Sequence, residues 1–492
     1  MLGAIFPYIV IFLLGLNMPA DTDLGWHLKY GEYFAKTGHI LRDNIFSLEM
    51  PGYKWPNISW LTDFISYSIY HRAGFLGLSI AGAITIVLIF FFIDKALKMS
   101  FWEKAFIFPL FLHLMNPLIN VSFRGQLITA LGTSILIYFL MEFQRGRKKF
   151  IFWTIPLILV WSNMHGEFLF GLVILSMYLF LRYLKLVFEK KYKEFKRELI
   201  YASTILFSFV ASLINPYAIE IYKEVIRHFG NPYEKYILEW IPLPPFSGIW
   251  WILIFWGIFL IIILRLLISE KKFSEYFEWF IIVSVFYFLS HWMRRYAWTM
   301  YLVSAPLAEV YFESIKPSVK SFLYKSIPIA IFAGFYLYAV YFHIPNVKFK
   351  SMNWDRFCQE FIHCSPKSAE FLMKNKLPGK FMSFYNWGGW LIWNYPDIKP
   401  SIVGRMHLWR DENGYSAFGK YYFLEQNVTD IDKSDYDVIY MSTEKPLHKK
   451  MIQLVNAGKW RVVYGDQFAG IFVRVNGNTS ANNSTTKAAR SE

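Results

Sequence analysis

Residues 249–268 read IWWILIFWGIFLIIILRLLI, a run of twenty residues in which Arg265 carries the only charge. A helix of about 20 apolar residues is long enough to cross the hydrocarbon core of a bilayer. Similar stretches recur through the first 343 positions, so the chain is predicted to be a polytopic α-helical membrane protein. By run length and flanking charge we place eleven transmembrane helices at residues 2–20, 74–94, 105–119, 126–143, 150–163, 168–184, 198–214, 249–268, 278–291, 298–313 and 327–343.

The composition agrees with a membrane protein. Of 492 residues, 55% are hydrophobic, 20% are aromatic and 18% are charged. The formal net charge of +15 could indicate nucleic-acid binding, but the basic residues are concentrated in short loops between apolar stretches, where they normally hold a loop in the cytoplasm. We therefore expect no nucleic-acid partner. Residues 2–18 have no basic start and no small-residue cleavage site, so we expect a retained anchor.

Lys and Arg are distributed unequally between the two sides of the predicted bundle. Five loops on one side, at 95–104, 144–149, 182–197, 265–272 and 316–325, carry 20 basic residues in 50 positions. The opposite loops, at 21–73, 116–125, 163–167, 215–248 and 291–297, carry 11 in 109. Because basic loops stay in the cytoplasm, this predicts a multi-pass protein of the cytoplasmic membrane with a cytoplasmic N-terminus and an extracytoplasmic C-terminal part.

The chain is predicted to contain two domains and a tail. Residues 1–344 form the transmembrane domain, with a large first outer loop at 21–73. In residues 345–475, strand patterns at 381–385, 401–403, 438–441 and 471–473 alternate with helical patterns at 365–374 and 447–456, which predicts a small extracytoplasmic α/β domain. Residues 476–492 are polar and low in complexity, so we expect a disordered tail, and we regard its glycosylation triplets at Asn478 and Asn483 as chance matches.

Two further patterns concern the outer side. Residues 57–70 and 219–229 space apolar residues at helical intervals, which predicts amphipathic helices along the membrane surface. The two cysteines, Cys358 and Cys364, fall in the C-terminal part. An extracytoplasmic location would allow them to form a disulfide, but a separation of six residues does not decide this.

The unusual polar residues collect in loops on the predicted outer side. The first loop begins Asp21-Thr22-Asp23-Leu24-Gly25-Trp26-His27, where a charge close to the hydrocarbon edge costs free energy and usually marks a function. The other polar residues of these loops are Asn57 and Asp63 in the first, Arg124 and Gln126 in the second, Asn163, His165 and Glu167 in the third, and His291, Arg294 and Arg295 in the fifth. We expect them to open into one outward cavity.

These residue types fit transfer of a group from a lipid-linked phosphate. A carboxylate can act as general base on an acceptor hydroxyl, and arginines can hold the leaving phosphate by bidentate hydrogen bonds. Asp21 and Asp23 are therefore the candidate catalytic residues. The candidate substrate-binding residues are His27, Asn57, Arg124, Asn163, His165, Glu167, Arg294 and Arg295.

Other interpretations of the same residues stay open. Asp21 and Asp23 could cap a helix, His165 and Glu167 could form a solvated turn, and the two arginines could anchor to lipid phosphate. No cofactor is certain from the sequence. Asp21, Asp23 and His165 could together hold a divalent cation such as Mg or Mn, although carboxylates alone do not identify a metal.

Several short motifs occur in a fixed order along the chain. They are Asp21, Asp23, Trp26 and His27; Trp55, Asn57 and Trp60; Asn163-Met164-His165-Gly166; Asn215-Pro216-Tyr217; Arg294 or Arg295; and Tyr385-Asn386-Trp387-Gly388-Gly389-Trp390-Leu391-Ile392-Trp393 followed by Gly404-Arg405. In this order they resemble the GT-C superfamily of integral membrane glycosyltransferases, and more narrowly a prokaryotic GT-C-like group of unassigned specificity. The resemblance covers most of the chain.

The resemblance implies a polyprenyl-phosphate or polyprenyl-diphosphate sugar donor, an extracytoplasmic site, and an acidic base in the first loop, at Asp21 or Asp23. Expected partners are that donor, a glycan, lipid or protein acceptor, and membrane lipids. Relatives carry Asp-Gly-Arg where this chain has Val403-Gly404-Arg405, which argues against acidic chemistry in the C-terminal domain. The pair Gly388-Gly389 could permit a tight turn or close backbone approach, or could serve acceptor binding.

Two other functions remain as alternatives. One is a transporter or flippase of lipid-linked glycans, and the other is a non-catalytic scaffold of an envelope glycan assembly complex. A translocation path should place ionisable residues at the centres of several spans, and apart from Asp94, near an inner boundary, the sequence has few of them. The charge distribution therefore favours a glycosyltransferase.

Overall fold

A computed structural model describes residues 2–121, 123–228, 231–315 and 321–475. The predicted tail at 476–492, with its two glycosylation triplets, lies outside the described residues. The chain forms two compact units. Unit 1 comprises Met1–Asp43 and Lys54–Asn353, and unit 2 comprises Asn44–Tyr53 and Trp354–Glu492. A ten-residue segment of the first loop therefore belongs to the C-terminal unit, which the sequence pattern did not indicate.

Unit 1 is helical. Its α-helices are α1 (Leu2–Gly15), α2 (Leu24–Thr37), α3 (Trp60–Leu97), α4 (Phe101–Leu114), α5 (Asn116–Ile119), α6 (Gly125–Gln144), α7 (Thr154–Ser162), α8 (Phe168–Phe188), α9 (Tyr192–Glu198), α10 (Ser203–Ser212), α11 (Glu220–His228), α12 (Gly248–Ser269), α13 (Phe273–Trp292), α14 (Tyr296–Val303), α15 (Ala305–Ile315), α16 (Ser321–Tyr338) and α17 (Ile344–Val347). Short 3-10 turns at Lys148–Trp153 and Leu199–Ala202 lead into α7 and α10, and a π turn at Ala339–His343 joins α16 to α17.

The chain is a multi-pass membrane protein. Within the described residues, six helical segments are long and apolar enough to cross a bilayer: Trp60–Leu97, Gly125–Gln144, Phe168–Phe188, Gly248–Ser269, Phe273–Trp292 and Phe322–Ser351. Each of the eleven predicted spans overlaps helical residues, some of them in shorter helices such as α1 and α4. The number of eleven spans stays a prediction.

Two helices match the amphipathic patterns of the long outer loops. The first pattern, at 57–70, falls on the start of α3, which bends at Gly74, where φ is 57°. Glycine adopts this conformation readily because it has no Cβ. The second pattern falls on α11. The helix α2, which begins directly after Asp23, was not indicated by the sequence.

Close helix packing positions the polar loops of unit 1. A Cβ at Gly31 of α2 would clash with the backbone of Asp63 in α3, and a Cβ at Gly125 would clash with the ring of His165. Both glycines therefore let a neighbouring backbone or ring approach closely. These contacts bring the start of α2, the start of α3 and the loop after α7 towards one end of α6.

Unit 2 contains a small mixed sheet. Its strands are β1 (Phe381–Ser383), β2 (Val438–Ser442), β3 (Trp460–Gly465) and β4 (Ala469–Arg474), arranged in the order β1-β2-β4-β3. The β1 and β2 strands are parallel, and the other pairs are antiparallel. All five residues of β2 are buried, as expected for a strand covered on both faces. The helices are α18 (Trp354–Arg356), α19 (Pro366–Lys374), α20 (Gly388–Asn394), α21 (Ala417–Glu425) and α22 (Pro446–Asn456).

One predicted strand of unit 2 is wrong. Residues 401–403 are not part of the sheet. Instead, the carbonyls of Pro400 and Ser401 accept hydrogen bonds from the backbone N–H groups of Leu48 and Glu49, at 2.9 and 3.1 Å. The short apolar run thus pairs with the inserted segment of the first loop. Cys358 and Cys364 form a disulfide.

Candidate functional site

The loop after α1 brings two carboxylates and an arginine together. The Asp21 side chain is buried, and its Oδ2 lies 3.3 Å from Arg124 Nε. Asp21 Oδ1 accepts a hydrogen bond from the backbone N–H of Asp23 at 3.1 Å. Asp23 directly precedes α2, but its side chain makes no capping hydrogen bond. The Asp23 carboxylate is therefore not used to cap the helix.

His27 is held by a buried carboxylate. Its Nδ1 lies 2.5 Å from Oδ1 of Asp63, in the first turn of α3, and the Nδ2 of Asn57 donates to Oδ2 of Asp63 at 2.7 Å. Asp63 and Asn57 are each 1% exposed. Asp63 thus fixes the orientation of the His27 imidazole with one oxygen, while Asn57 holds its other oxygen. We call Asp21, Asp23, His27 and Asp63 the first-loop cluster.

The first-loop cluster has unusual acid–base properties. Burial and the neighbouring Asp21 carboxylate raise the pKa of Asp23 to about 6. Burial disfavours the charged form of His27, but the carboxylate of Asp63, with those of Asp21 and Asp23, raises the pKa of the imidazole above its ordinary value. The cluster therefore combines a carboxylate that titrates near neutral pH with an imidazole that favours its protonated form.

A second polar cluster connects three other segments. His165 Nδ1 lies 2.7 Å from Thr129 Oγ1 and 3.5 Å from Glu167 Oε2. Glu167 accepts a hydrogen bond from Nε of Arg295, and Arg295 Nη1 lies 3.5 Å from Glu239 Oε2. We call Thr129, His165, Glu167 and Arg295 the third-loop cluster.

The third-loop cluster has the opposite protonation pattern. Burial lowers the pKa of His165 to about 4, although Glu167 opposes the shift. Burial also opposes ionisation of Glu167, but Arg295 holds its pKa below the ordinary value. The charges of Arg124 and His27 contribute to the lowered pKa of His165, so the two clusters are electrostatic neighbours.

Asn163 connects three elements through its side chain. Its Nδ2 donates to the carbonyls of Leu159 and Ile214 at 2.8 and 2.9 Å. Its Oδ1 accepts a hydrogen bond from Trp60 Nε1 at 3.1 Å. The amide thus joins the end of α7, the loop after α10 and the start of α3. This arrangement supports a positioning role for Asn163 rather than direct substrate contact.

Arg294 and Arg295 have different surroundings. Arg295 is engaged by Glu167 and Glu239. Arg294 is half-buried, and its buried Nε makes no hydrogen bond within the described part of the chain. A buried donor without a partner is costly, so Arg294 is the better candidate for contact with a ligand phosphate.

The predicted metal ligands are not brought together. Among the described residues, no group of three or more His, Cys, Asp and Glu side chains could hold a metal ion. Asp21 is paired with Arg124, while His165 is engaged by Thr129 and Glu167. The set of Asp21, Asp23 and His165 therefore does not fit a cation site, and no step through a metal follows from these residues.

Some residues of these clusters could not be selected from the sequence. Thr129 and Glu239 lie in an apolar helix and a long loop, where nothing in the local pattern indicates that they contact His165 or Arg295. Asp63 was expected to lie in the outward cavity but was not assigned a role, because its pairing with His27 depends on the packing of α2 on α3.

The whole fold has counterparts among solved structures. It is similar to the crystal structure of the Archaeoglobus fulgidus oligosaccharyltransferase in the apo form, with a TM-score of 0.50 and 10% identity, covering 89% of this chain and 69% of that chain. A match is also found to the crystal structure of ArnT from Cupriavidus metallidurans bound to undecaprenyl phosphate, with a TM-score of 0.49, 12% identity, and coverage of 96% and 98%. No family model and no curated protein sequence matches the chain.

The likeness to the oligosaccharyltransferase defines the class of fold. Over 89% of its length, this chain shares the fold of that oligosaccharyltransferase. The resemblance predicted from the ordered motifs is confirmed at the level of the fold. Because fold alone does not define chemistry, the reaction has to be argued from the residues of the two clusters.

Proposed function

We propose that this protein transfers a sugar from a polyprenyl-phosphate or polyprenyl-diphosphate carrier to an acceptor hydroxyl, at the extracytoplasmic face of the cytoplasmic membrane. The GT-C fold supports the class of enzyme. The observation that carries the proposal is the first-loop cluster. There, Asp23 titrates near neutral pH beside Arg124 and an imidazole that favours its protonated form.

Asp23 is the proposed general base. Its carboxylate accepts the proton of the acceptor hydroxyl while the hydroxyl oxygen forms a bond to the anomeric carbon of the sugar. The bond from that carbon to the carrier oxygen breaks, and the phosphate leaves with the electron pair. A base with a pKa near 6 is mostly ionised at pH 7 and still basic enough to take part in proton transfer.

The leaving phosphate requires positive charge close to the carboxylates. Arg124 supplies it in the first-loop cluster, together with His27 whose raised pKa favours added positive charge, and Arg294 is a further donor. Hydrogen bonds between cations and phosphate oxygens are stronger than those between neutral groups. We assign Asp21 to holding Arg124, since its carboxylate lies against that guanidinium.

The remaining candidate residues are assigned positioning roles. Asn57 holds Asp63, and Asn163 joins three elements that surround the clusters. Glu167 and Arg295 form a buried pair next to His165. These contacts favour a rigid support for the first-loop cluster.

The orientation of the site is supported by two independent observations. Basic residues are concentrated in the loops opposite to the first loop. Unit 2 contains the Cys358–Cys364 disulfide, and disulfides persist mainly in oxidising compartments outside the cytoplasm. Both favour an extracytoplasmic location of unit 2 and of the first loop.

Three buried carboxylates elsewhere in unit 1 have basic partners, which favours a transferase over a transporter. Glu142, Glu198 and Glu278 are buried, and each lies in an ion pair with Arg or Lys. Such matched pairs serve structure rather than a pathway for a moving ligand. A translocation path would need unmatched polar groups along several spans.

The proposal is tested by a transfer assay with purified protein. The donors are polyprenyl-phosphate-linked and polyprenyl-diphosphate-linked hexoses, and transfer to a mixed pool of glycan, lipid and peptide acceptors is followed by mass spectrometry. We expect Asp23→Asn to lower kcat by about 10²- to 10⁴-fold, the range that general-base catalysis contributes. The donor KM should change little, because the phosphate contacts remain.

Glu32→Gln is the matched control. Glu32 lies on the same helix α2 and pairs with Lys29 and Lys36, so this variant should transfer at the wild-type rate. The same assay in sealed vesicles tests the orientation. A membrane-impermeant acceptor should be modified in right-side-out vesicles and not in inverted ones. Full activity of Asp23→Asn, or the opposite vesicle preference, would contradict the proposal.

A further inference from the structure

Unit 2 contains a cavity of about 550 Å³ that the proposed chemistry does not use. This volume lies in the range of small-molecule binding sites. Its polar lining consists of Glu49, Lys380, Asp411, Tyr415, Lys420 and Asp435. Glu49 comes from the inserted segment of the first loop, and the other residues come from the C-terminal part of the chain.

The centre of the lining is Glu49, a carboxylate that is 8% exposed. It accepts hydrogen bonds from the hydroxyls of Tyr415 at 2.6 Å and Tyr436 at 2.8 Å. Lys380 and Lys420 lie 3.4 and 3.8 Å from Glu49 Oε1. These four groups hold the pKa of Glu49 below its ordinary value although burial opposes the shift. Glu49 is therefore an ionised group fixed in the wall.

The two lysines also contact a second carboxylate. Asp435 lies 2.6 Å from Lys380 Nζ and 2.8 Å from Lys420 Nζ. Both ammonium groups lie over the ring of Tyr436, at 5.2 and 4.3 Å from its centroid. The carboxylates of Glu49 and Asp435 thus alternate with the two ammonium groups in the wall of the cavity.

Several hydrogen bonds attach the inserted segment, which forms one wall of the cavity, to the rest of unit 2. Asn44 Nδ2 donates to the carbonyls of Glu49 and Met50, and Arg405 Nη2 donates to Asn44 Oδ1 at 2.7 Å. The segment turns at Gly52, where φ is 71°. Backbone hydrogen bonds to Pro400 and Ser401 complete the attachment. The shape of the cavity is therefore set before any ligand binds, which lowers the entropic cost of binding.

The charge pattern of the lining restricts the class of ligand. An anion would approach the three carboxylates of Glu49, Asp411 and Asp435, and a cation would approach Lys380 and Lys420. Either ion would meet a group of its own sign. A ligand that offers both donors and acceptors without net charge matches the alternating lining, because ammonium groups only donate and carboxylates only accept. Clustered hydroxyl groups have this property.

We propose that this cavity binds an uncharged saccharide. We assign the bound saccharide to the acceptor, and this assignment rests on the proposed glycosyltransferase function. The acceptor class is then a glycan.

The test measures binding of defined trisaccharides to the full-length protein in detergent. The neutral probes are cellotriose, mannotriose and chitotriose; the charged probes are trigalacturonate and the trimer of glucosamine. Saturation-transfer NMR detects binding, and calorimetry gives Kd. We expect at least one neutral probe to bind, and we expect Lys420→Met and Asp435→Asn each to raise its Kd at least tenfold. Lys459→Met, which removes an exposed ion pair with Asp432 on the same unit, should leave Kd unchanged.

Each result decides the proposal. The proposal is overturned if no neutral probe binds or if only charged probes bind. It is also overturned if Lys420→Met and Asp435→Asn, shown to be folded by their thermal unfolding transitions, bind with the wild-type Kd. The Asp23→Asn variant separates this proposal from the transferase function. Wild-type binding by Asp23→Asn together with lost transfer supports both, whereas binding by a wild-type protein that transfers no sugar contradicts the transferase function alone.

Discussion

The first-loop cluster and the third-loop cluster each contain a histidine and at least one carboxylate, yet their pKa shifts are opposite. In the first, the pKa of Asp23 is raised to about 6 and that of His27 is also raised. In the third, the pKa of Glu167 is lowered and that of His165 falls to about 4. The same types of residue thus give a carboxyl group with a raised pKa in one place and one with a lowered pKa in the other.

The difference arises from the balance of charges around each carboxylate. Asp23 lies next to a second carboxylate, Asp21, whose nearest cation is Arg124. Glu167 has Arg295 as a direct partner. A like charge raises the pKa of a carboxyl group, and an opposite charge lowers it. The nearby like charge thus keeps the pKa of Asp23 high, and the nearby opposite charge keeps the pKa of Glu167 low.

The largest effect is expected on stability when the matched pair is broken. Arg295→Met leaves Glu167 buried without its cation, which should lower the free energy of unfolding by about 3–5 kcal/mol. Thermal unfolding in detergent micelles measures the loss. Adding Glu167→Gln to this variant should restore much of the stability, because the buried charge is then removed.

Lys223→Met serves as the control for a salt bridge at the surface. Lys223 pairs with Glu220, and both side chains are about half exposed, so its loss should cost about 0–1 kcal/mol. If Arg295→Met unfolded at the same temperature as Lys223→Met, the third-loop cluster would not be a structural support.

A smaller effect is expected when the histidine of the first-loop cluster loses its partner. Asp63→Asn removes the carboxylate that favours protonated His27. A hydrogen bond to a charged group is worth about 1.5–3 kcal/mol, so the donor KM should rise about tenfold or more at neutral pH. The defect should shrink as the pH falls and His27 becomes protonated without help. A pH-independent defect would indicate a purely structural role for Asp63.

The smallest effect is expected on the pH profile. Because Asp23 must be deprotonated to act as base, kcat/KM should rise with pH through about 6. Asp21→Asn removes the neighbouring negative charge, so this rise should move to lower pH. Burial, the larger cause of the shift, remains, so the rise should stay above the ordinary aspartate value of about 4. An unchanged profile would mean that Asp23 is not the titrating base.

The membrane part of the fold was readable from the sequence because its signal is local. A run such as residues 249–268 specifies a span by length and hydropathy alone, and α12 occupies Gly248–Ser269. The strand β3 was missed because it pairs only with β4, and its register shifts between Val462 and Tyr464, which breaks the alternation of apolar and polar residues. The sheet order also depends on contacts that no short pattern contains.

The sequence predicted the loops that carry the candidate site and proposed roles for their residues, but not which side chains are paired. The sequence placed Asp23, His27, His165 and Glu167 on one side because each follows or precedes an apolar run. Which of them are paired depends on the close approach of α2 to α3 at Gly31. For the same reason, the sequence could not distinguish Glu167, which has an arginine partner, from Asp23, which has a second aspartate beside it.

The membership of Asn44–Tyr53 in unit 2 has a consequence for how the protein can be divided. A fragment that starts at Trp354 would lack Glu49, leaving the hydroxyls of Tyr415 and Tyr436 without their acceptor. A fragment that ends at Asn353 would keep the inserted segment Asn44–Tyr53 but would lack its partners Pro400, Ser401 and Arg405. Neither fragment contains a complete unit 2. A truncated or domain-exchanged protein must therefore keep Asn44–Tyr53 together with the C-terminal part of unit 2.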